Sequence, residues 1–479
     1  MTTSFFFYDL ETTGFSSRAA RIMQFAGQRT DMELKPIGEP VDVLIQLTAD
    51  IVPSPDAILV TGITPQKTLA EGITEVEFVK LFKEEIATPG TIFIGFNSVR
   101  FDDEFMRCLF YRNFCDAYGW QWQDDKSRWD LLDVIRMTRA LRPEGITWPI
   151  GPNGEKTNRL ELMTAANGLN HEHAHDALSD VMATIAVAKL VHDKQPALFG
   201  YLLKMRSKKA VSELVSAGQP FMYTSGKYSS DNEKTTVAVL LAKRPDGQGA
   251  LVYDLRFDPA DYVNATPEEI IELWRYNADK TVIRLPVKTL KYNRCPAVAP
   301  LGVLDKSSQE RLDIDISVIS KHYKTLRANP EFTNNVFAAL QKMDAEPRKS
   351  YEDDCGVDGQ LYEGFFDAHD TNLMRVLCEA KPQDIKNNDF GFHDNRLQKM
   401  LPLYKARNFP KFLNEEERAE WDEHCRSRLL DGGTHSQLAK YFARLGELAK
   451  DKDLDSDKRF LLEELQLYGE SIMPVVDGE

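Results

Sequence analysis

The segment FFFYDLETTG at residues 5–14 sets the terms on which this chain can fold. Three phenylalanines and a tyrosine in succession require a strand covered on both faces, because side chains alternate across a strand and here both sets are apolar. The same alternation puts Phe5, Phe7, Asp9 and Glu11 on one face and Phe6, Tyr8 and Leu10 on the other. Two carboxylates therefore stand side by side where a buried strand runs out toward Gly14. Such a pair repels itself and resists leaving water unless a positive group lies between its members, and a divalent cation would supply that charge. A solvated strand end with two idle acids is the plainer alternative. More acids are needed to choose.

The neighbouring sequence places that strand in an α/β domain. RIMQFAGQRT and EPVDVLIQL are strand-like, TEVEFVKLFKEEI is a helix candidate, and TIFIGFN is a further apolar strand. Helical patterns follow in DDEFMRCLFYRNF, DLLDVIRMTRAL, RLELMTAANGL and DALSDVMATIAVAKLVHDK, the second and fourth stopping before Pro143 and Pro196. The expectation is a mixed sheet with helices over residues 1–197. Residues 198–350 change character: TVAVLLAK and GALVYDLR read as strands joined by a PDG turn, VIRLPVKTLKYNRCP is strand-like, and TPEEIIELWR is a helix. A small, mostly β domain is expected there. The polar stretch AEPRKSYEDDCGVDG marks the next boundary, and residues 351–479 read as all helical. Neither GxGxxG nor GxxxxGK occurs at a strand end, so dinucleotide and P-loop folds lack support.

At 479 residues the chain exceeds one ordinary core. The N-terminus MTTSFFFYDL lacks a basic leader and no apolar run approaches the ~20 residues of a membrane span, so a cytoplasmic protein is expected. The six cysteines show no CxxC pairing and are read as buried free thiols, neither a zinc site nor a disulfide framework. Net charge is −15, divided as −9 over residues 1–200, +5 over 201–350 and −11 over 351–479. An acidic chain holds a polyanion only where its basic groups line one groove and cations neutralise some acids, so the basic middle segment stands out.

Further acids do appear. In GFNSVRFDDEFMR a strand exits through Asn97 and Asp102 opens a helix, where its carboxylate can face back over the strand ends. Asp103 reads as an ordinary first-turn acid favoured by the helix dipole. In HEHAHDALSDVMATIAVAKL, Asp176 and Asp180 are four apart on one helix, with Asp180 among apolar neighbours. His171, His173 and His175 fall on a loop without cysteines, which favours structural or solvated histidines over zinc. Asp9, Glu11, Asp102 and Asp180 could thus converge on one sheet edge. An all-oxygen set suits magnesium or manganese, and two such ions about 4 Å apart would serve in-line phosphoryl displacement, with His175 as general base.

The order of FYDLETTG, NSVRFDD and HDALSD resembles the proofreading-type 3′ to 5′ exonucleases that use four acids and a histidine. The stretches DLETTGFSSRAARIMQFAGQRTD, LVTGITPQ, GFNSVRFDDEFMRCLFYRNFCDAYGWQWQDDKSRWDLLDV, ALRPEGITWP, LPVKTLKYNRCP and GQLYEGFF further resemble the bacterial exonuclease I family. The resemblance implies a ribonuclease H-like exonuclease domain, an SH3-like domain and a helical domain closing a clamp around single-stranded DNA. It implies Asp9, Glu11, Asp102 and Asp180 as ligands of two magnesium ions and His175 as base. It also suggests Glu11, Arg107, Tyr118, Trp122, Arg136 and Arg159 as strand contacts, to which the basic middle segment adds Lys288, Lys291 and Arg294 and the helical segment Tyr362. A partner is implied as well, the acidic tail of single-stranded DNA-binding protein. An oligoribonuclease with the same acids and a purely binding module are the rivals. The first leaves the long C-terminal portion unexplained, and the second gains nothing from acids facing phosphate.

Overall fold

The computed structural model describes residues 3–171, 176–275, 284–346, 355–385 and 390–474. Strands β1 (Ser4–Thr12), β2 (Ile22–Thr30) and β3 (Val41–Leu44) are antiparallel neighbours. Three short helices follow, α1 (Pro55–Thr61), α2 (Pro65–Glu71) and α3 (Glu75–Leu81), before β4 (Thr91–Gly95), α4 (Asp102–Arg112) and β5 (Ser127–Asp130). The sheet order is β3-β2-β1-β4-β5, with β4 parallel to β1 and β5 parallel to β4. It is the expected mixed sheet. Helices α5 (Leu131–Leu141), α6 (Leu160–Ala166) and α7 (Ala177–Lys194) complete this part of the chain.

The parity of FFFYDL decides what covers each face. Phe5 and Phe7 pack into a core with α5, α7 and residues such as Val237, Leu251 and Phe332 of the middle segment. Phe6, Tyr8 and Leu10 belong to a second core, in which Phe6 and Tyr8 meet Phe25 and Phe93 and which extends through Phe78, Phe82 and Phe110 to Leu397, Met400 and Tyr404 of the C-terminal segment. The central strand is thus clad by the rest of the chain on both sides, with each large apolar group contributing roughly 1.5–3 kcal/mol on burial.

After α8 (Pro196–Lys204) and α9 (Lys208–Ser216), the middle segment forms a second sheet from β6 (Phe221–Thr224), β7 (Thr235–Lys243), β8 (Gly249–Asp254), β9 (Val287–Lys291) and β10 (Ala297–Pro300). Its order is β10-β6-β7-β8-β9, all antiparallel. α10 (Pro267–Trp274) is the expected helix, opened by a Thr266/Glu269 capping box. The expectation of a mostly β unit is incomplete: α11 (Lys306–Leu312), α12 (Ile316–Ala328) and α13 (Pro330–Ala345) also belong here, and α13 packs against α10. The C-terminal segment is helical as expected, with Ala368–Glu379, Asn395–Asn408, Glu415–Leu430, Gln437–Leu448 and Ser456–Ser471 as its longer helices.

Two expectations need correction. Cys115 and Cys378 are joined in a disulfide with their Cα atoms 5.5 Å apart, linking the first segment to the last, whereas Cys108, Cys295 and Cys425 are buried thiols as expected. A separation of 263 residues hides that proximity from any local motif. Asp103 does lie in the first turn of α4 but is more than a dipole-favoured acid there: it is 1 % exposed, accepts the Tyr8 hydroxyl at 2.5 Å and pairs with Arg128. Among the described residues no helix is long and apolar enough to cross a membrane.

Candidate active site and nucleic-acid interface

The parallel strands β1, β4 and β5 all end on the same sheet edge, where functional groups of α/β sheets gather. β4 pairs with β1 only as far as Phe7↔Ile94, so Asp9 to Thr12 project past the end of β4. The chain leaves β4 through a tight turn. A Cβ on Gly95 would stand 2.4 Å from the Ser98 Cβ, and Asn97 adopts φ 70°, which its short polar side chain tolerates. Asp130 pins this turn by accepting the backbone N–H groups of Asn97 and Val99 at 3.0 and 3.2 Å. The turn delivers Asp102 to the first position of α4, 4 % exposed.

α7 comes from the other side, capped by Asp176, whose carboxylate accepts the Ser179 N–H at 3.0 Å. One turn later Asp180 meets the strand. Ligand-capable atoms of Asp9, Glu11 and Asp180 all lie within 4.8 Å of one another. Asp102 stands outside that trio but is close enough that Asp9 acts on it electrostatically. Burial pushes the Asp9 carboxyl well up, and the charges of Asp180 and Asp176 push it further. Glu11 is raised to about 9, first by burial and then by Asp9, Asp180 and Asp176. Asp102 is raised by burial and Asp9. These are carboxylates that need a cation to ionise together. With oxygen donors only, the set fits a hard divalent ion such as magnesium.

His175 lies outside the described residues. The nearby loop nevertheless shows His171, read from the sequence as structural or solvated, in the structural role: its side chain is 5 % exposed and places Nε2 2.5 Å from Asp180 Oδ1 and Nδ1 3.2 Å from Thr164 Oγ1. It is a buried neighbour of the acid cluster. A loop of alternating histidines has no helical or strand period from which the pairing of His171 with Asp180 could be read.

Three family models cover almost the whole chain: "Exonuclease" over residues 6–188, "Exonuclease I SH3-like domain" over 206–342 and "Exonuclease I C-terminal domain" over 355–472. The exodeoxyribonuclease I of Escherichia coli (strain K12) is 39% identical over 478 residues, covering 98% of each chain. The chain belongs to the exonuclease I family. Its three-part architecture is that of the family. The solved structure of E. coli exonuclease I in complex with a dA16 oligonucleotide superposes with a TM-score of 0.93 at 38% identity, covering 98% of this chain and all of that one. An SSB/exonuclease I structure with an inhibitor gives 0.89 at 36% identity, covering 99% and 100%.

The residues expected along the strand path divide into two groups. Trp122 is 64 % exposed, Tyr362 43 % and Tyr118 38 %, with Arg18 over the Tyr362 ring and Arg107 over that of Tyr118, and Arg159 and Lys291 are exposed. The remainder are engaged internally. Arg107 is buried, donates to Glu104 and Gln121 at 2.7 and 2.8 Å, and lies over the Tyr118 ring. Arg136 pairs with Asp133 at 2.7 Å. Lys288 donates to the Lys227 carbonyl at 2.6 Å over the Tyr228 ring, and burial lowers its ammonium to about 8. Arg294 donates to the Val99 carbonyl at 2.5 Å and to Glu104 at 2.8 Å. Lys288 and Lys291 alternate on β9 and so leave opposite faces of that strand, which divides the basic cluster read from the sequence. Tyr362 does approach from the C-terminal segment, donating its hydroxyl to Glu104. Burial acts to raise the Glu104 carboxyl, but Arg107, the Tyr362 hydroxyl and Arg294 outweigh it and hold it below its ordinary value.

Proposed function

We propose that this chain is a single-strand-specific 3′ to 5′ exodeoxyribonuclease that releases 5′-mononucleotides one after another in DNA repair and recombination. The observation that carries the reading is the convergence of Asp9, Glu11 and Asp180 at the exit of β1, beside Asp102. A phosphodiester could approach this cluster only with cations in place. Asp9, Glu11, Asp102 and Asp180 would hold two magnesium ions, for which manganese could substitute. When bound, these supply the charge that lowers the barrier to displacement at phosphorus. The chain's own residues do the rest. His175 takes a proton from the attacking water, its near-neutral intrinsic pKa suiting it to that task. His171 holds Asp180 in place, and Glu11 contacts the terminal nucleotide.

Tyr118, Trp122 and Tyr362 offer ring faces to bases without reading their sequence, while Arg107, Arg136, Arg159, Lys288, Lys291 and Arg294 serve the backbone. The functional units are residues 1–197, 198–350 and 351–479, acting as catalytic domain and two clamp arms. The second partner is the acidic tail of single-stranded DNA-binding protein, a reading supported by the SSB/exonuclease I structure. The test is a time course of nucleotide release from matched single-stranded DNA, single-stranded RNA and blunt duplex DNA, with magnesium and with a chelator. Rapid release from single-stranded DNA alone, abolished by the chelator, is expected. Release from RNA at an equal rate would refute the sugar assignment, and cleavage in chelator would refute the metal.

A further inference from the structure

We infer that Glu104 is a latch on which both clamp arms close, and that it governs how long a threaded strand is retained; the inference rests on the exonuclease reading above. Glu104 sits on α4 two residues after Asp102, so its carboxylate is rigidly tied to the active-site edge. Its Oε1 accepts Arg107 Nη1 at 2.7 Å from the same helix and Arg294 Nη2 at 2.8 Å from the middle segment. Its Oε2 accepts the hydroxyl of Tyr362 from the C-terminal segment. One carboxylate thereby receives a donor from each of the three parts of the chain. Each of two further contacts joins the catalytic part to a single arm: Arg128 donates to the Asn293 carbonyl at 2.8 Å, and Arg444 pairs with Asp56 at 2.7 Å.

Two features make this more than a surface ion pair. The Glu104 side chain is 15% exposed and that of Arg107 7%, so the charges are screened less than in open water. The groups it gathers also stand among the aromatic faces proposed to carry the strand: Arg107 lies over Tyr118, and Arg18 over the Tyr362 ring at 5.5 Å. Glu104 is therefore a positioning residue, acting through Arg107, Arg294 and Tyr362.

The sign of the effect separates a latch from simple electrostatics. Removing a carboxylate from a surface that holds a polyanion should, by charge alone, slow the release of DNA. Opening a latch should speed it. The experiment uses the full-length chain, with metal chelated, to measure dissociation of a fluorescent oligothymidylate after addition of unlabelled competitor. Loss of charge-assisted bonds in Glu104→Ala is expected to speed dissociation about tenfold. Glu104→Gln, which keeps an acceptor for Tyr362, should fall between. Tyr362→Phe combined with Glu104→Ala should dissociate no faster than Glu104→Ala alone. With magnesium, the nucleotides released per encounter should fall in the same order, and KM should rise while kcat stays within about twofold. Slower or unchanged dissociation, additive effects in the double variant, or a loss that tracks a lowered melting temperature would each overturn the latch. Because cleavage plays no part in the dissociation assay, failure of the wild-type chain to release nucleotides would count against the exonuclease reading instead.

Discussion

At the scale of single residues, the acid cluster stores repulsion that a bound cation would relieve. Asp180→Asn or Asp9→Asn should lower nucleotide release by more than about 10³-fold, since a metal frame that stabilises developing charge is lost. Asp9→Asn should also raise the melting temperature in chelator by about 2 °C or more, because a buried carboxyl facing other acids is removed, whereas Asp180→Asn also loses its contact with His171. A calorimeter and a nucleotide assay on the same samples check both. Glu11 carries the pH dependence. Its folded-state pKa of about 9 lies above the ordinary 4.5, so between those values the folded chain keeps a proton that the unfolded chain has lost. Stability of the metal-free protein should therefore fall as pH rises through that window. Magnesium must displace the proton, so its affinity should climb toward pH 9 with proton release, measurable by titration calorimetry in buffers of different ionisation enthalpy. His175→Ala should slow the chemical step by ~10² to 10⁴-fold while leaving magnesium affinity largely intact. A collapse of affinity in the same calorimeter would make it a ligand. The acids were legible because a period of two fixes Asp9 and Glu11 on one face and a helical turn fixes Asp180. The pairing of His171 with Asp180 was not, since a loop has no period.

At the scale of elements, a buried charge network fastens the helical segment to the catalytic sheet. Arg407 reaches Asp50 at 2.7 Å and Asp358 at 2.8 Å, Arg21 also pairs with Asp358, and both carboxylates are essentially inaccessible. Burial opposes their ionisation, but Arg407 and its neighbours hold both well below the ordinary carboxylate range. Their contribution to stability is thus complete above the ordinary carboxylate pKa and is lost as pH falls through the depressed values. Arg407→Met should cost about 3 kcal/mol, since two buried carboxylates lose the cation they share although Arg21 still faces Asp358; denaturant unfolding measures it. The elements that escaped the sequence did so for different physical reasons. β5 is four residues, Ser127 to Asp130, too short to show alternation, and its strand character comes from pairing with β4. The Asn395–Asn408 helix carries Pro402, a residue that ordinarily argues against a helix interior. Helices α11–α13 were hidden by the strong strand patterns before them, and the Cys115–Cys378 bridge by the length of chain between its ends.

At the scale of the whole molecule, one strand organises the rest. Its two faces are clad by different parts of the chain, its end carries the acids, and the helix that supplies Asp102 also meets both arms through Glu104. The three-part division was readable because each segment has its own periodicity and charge. The way the arms close was not, because Glu104, Arg294 and Tyr362 meet only in three dimensions. The most direct test of metal-dependent digestion at the β1 exit follows a single strand labelled on its terminal 3′ nucleotide, comparing the wild-type chain with Asp180→Asn under conditions where both bind the DNA equally. The wild-type chain should release the label first, as a mononucleotide, with magnesium and not with chelator, while Asp180→Asn holds the strand intact. Release of the label by Asp180→Asn at the wild-type rate, or first release from the 5′ end, would contradict it.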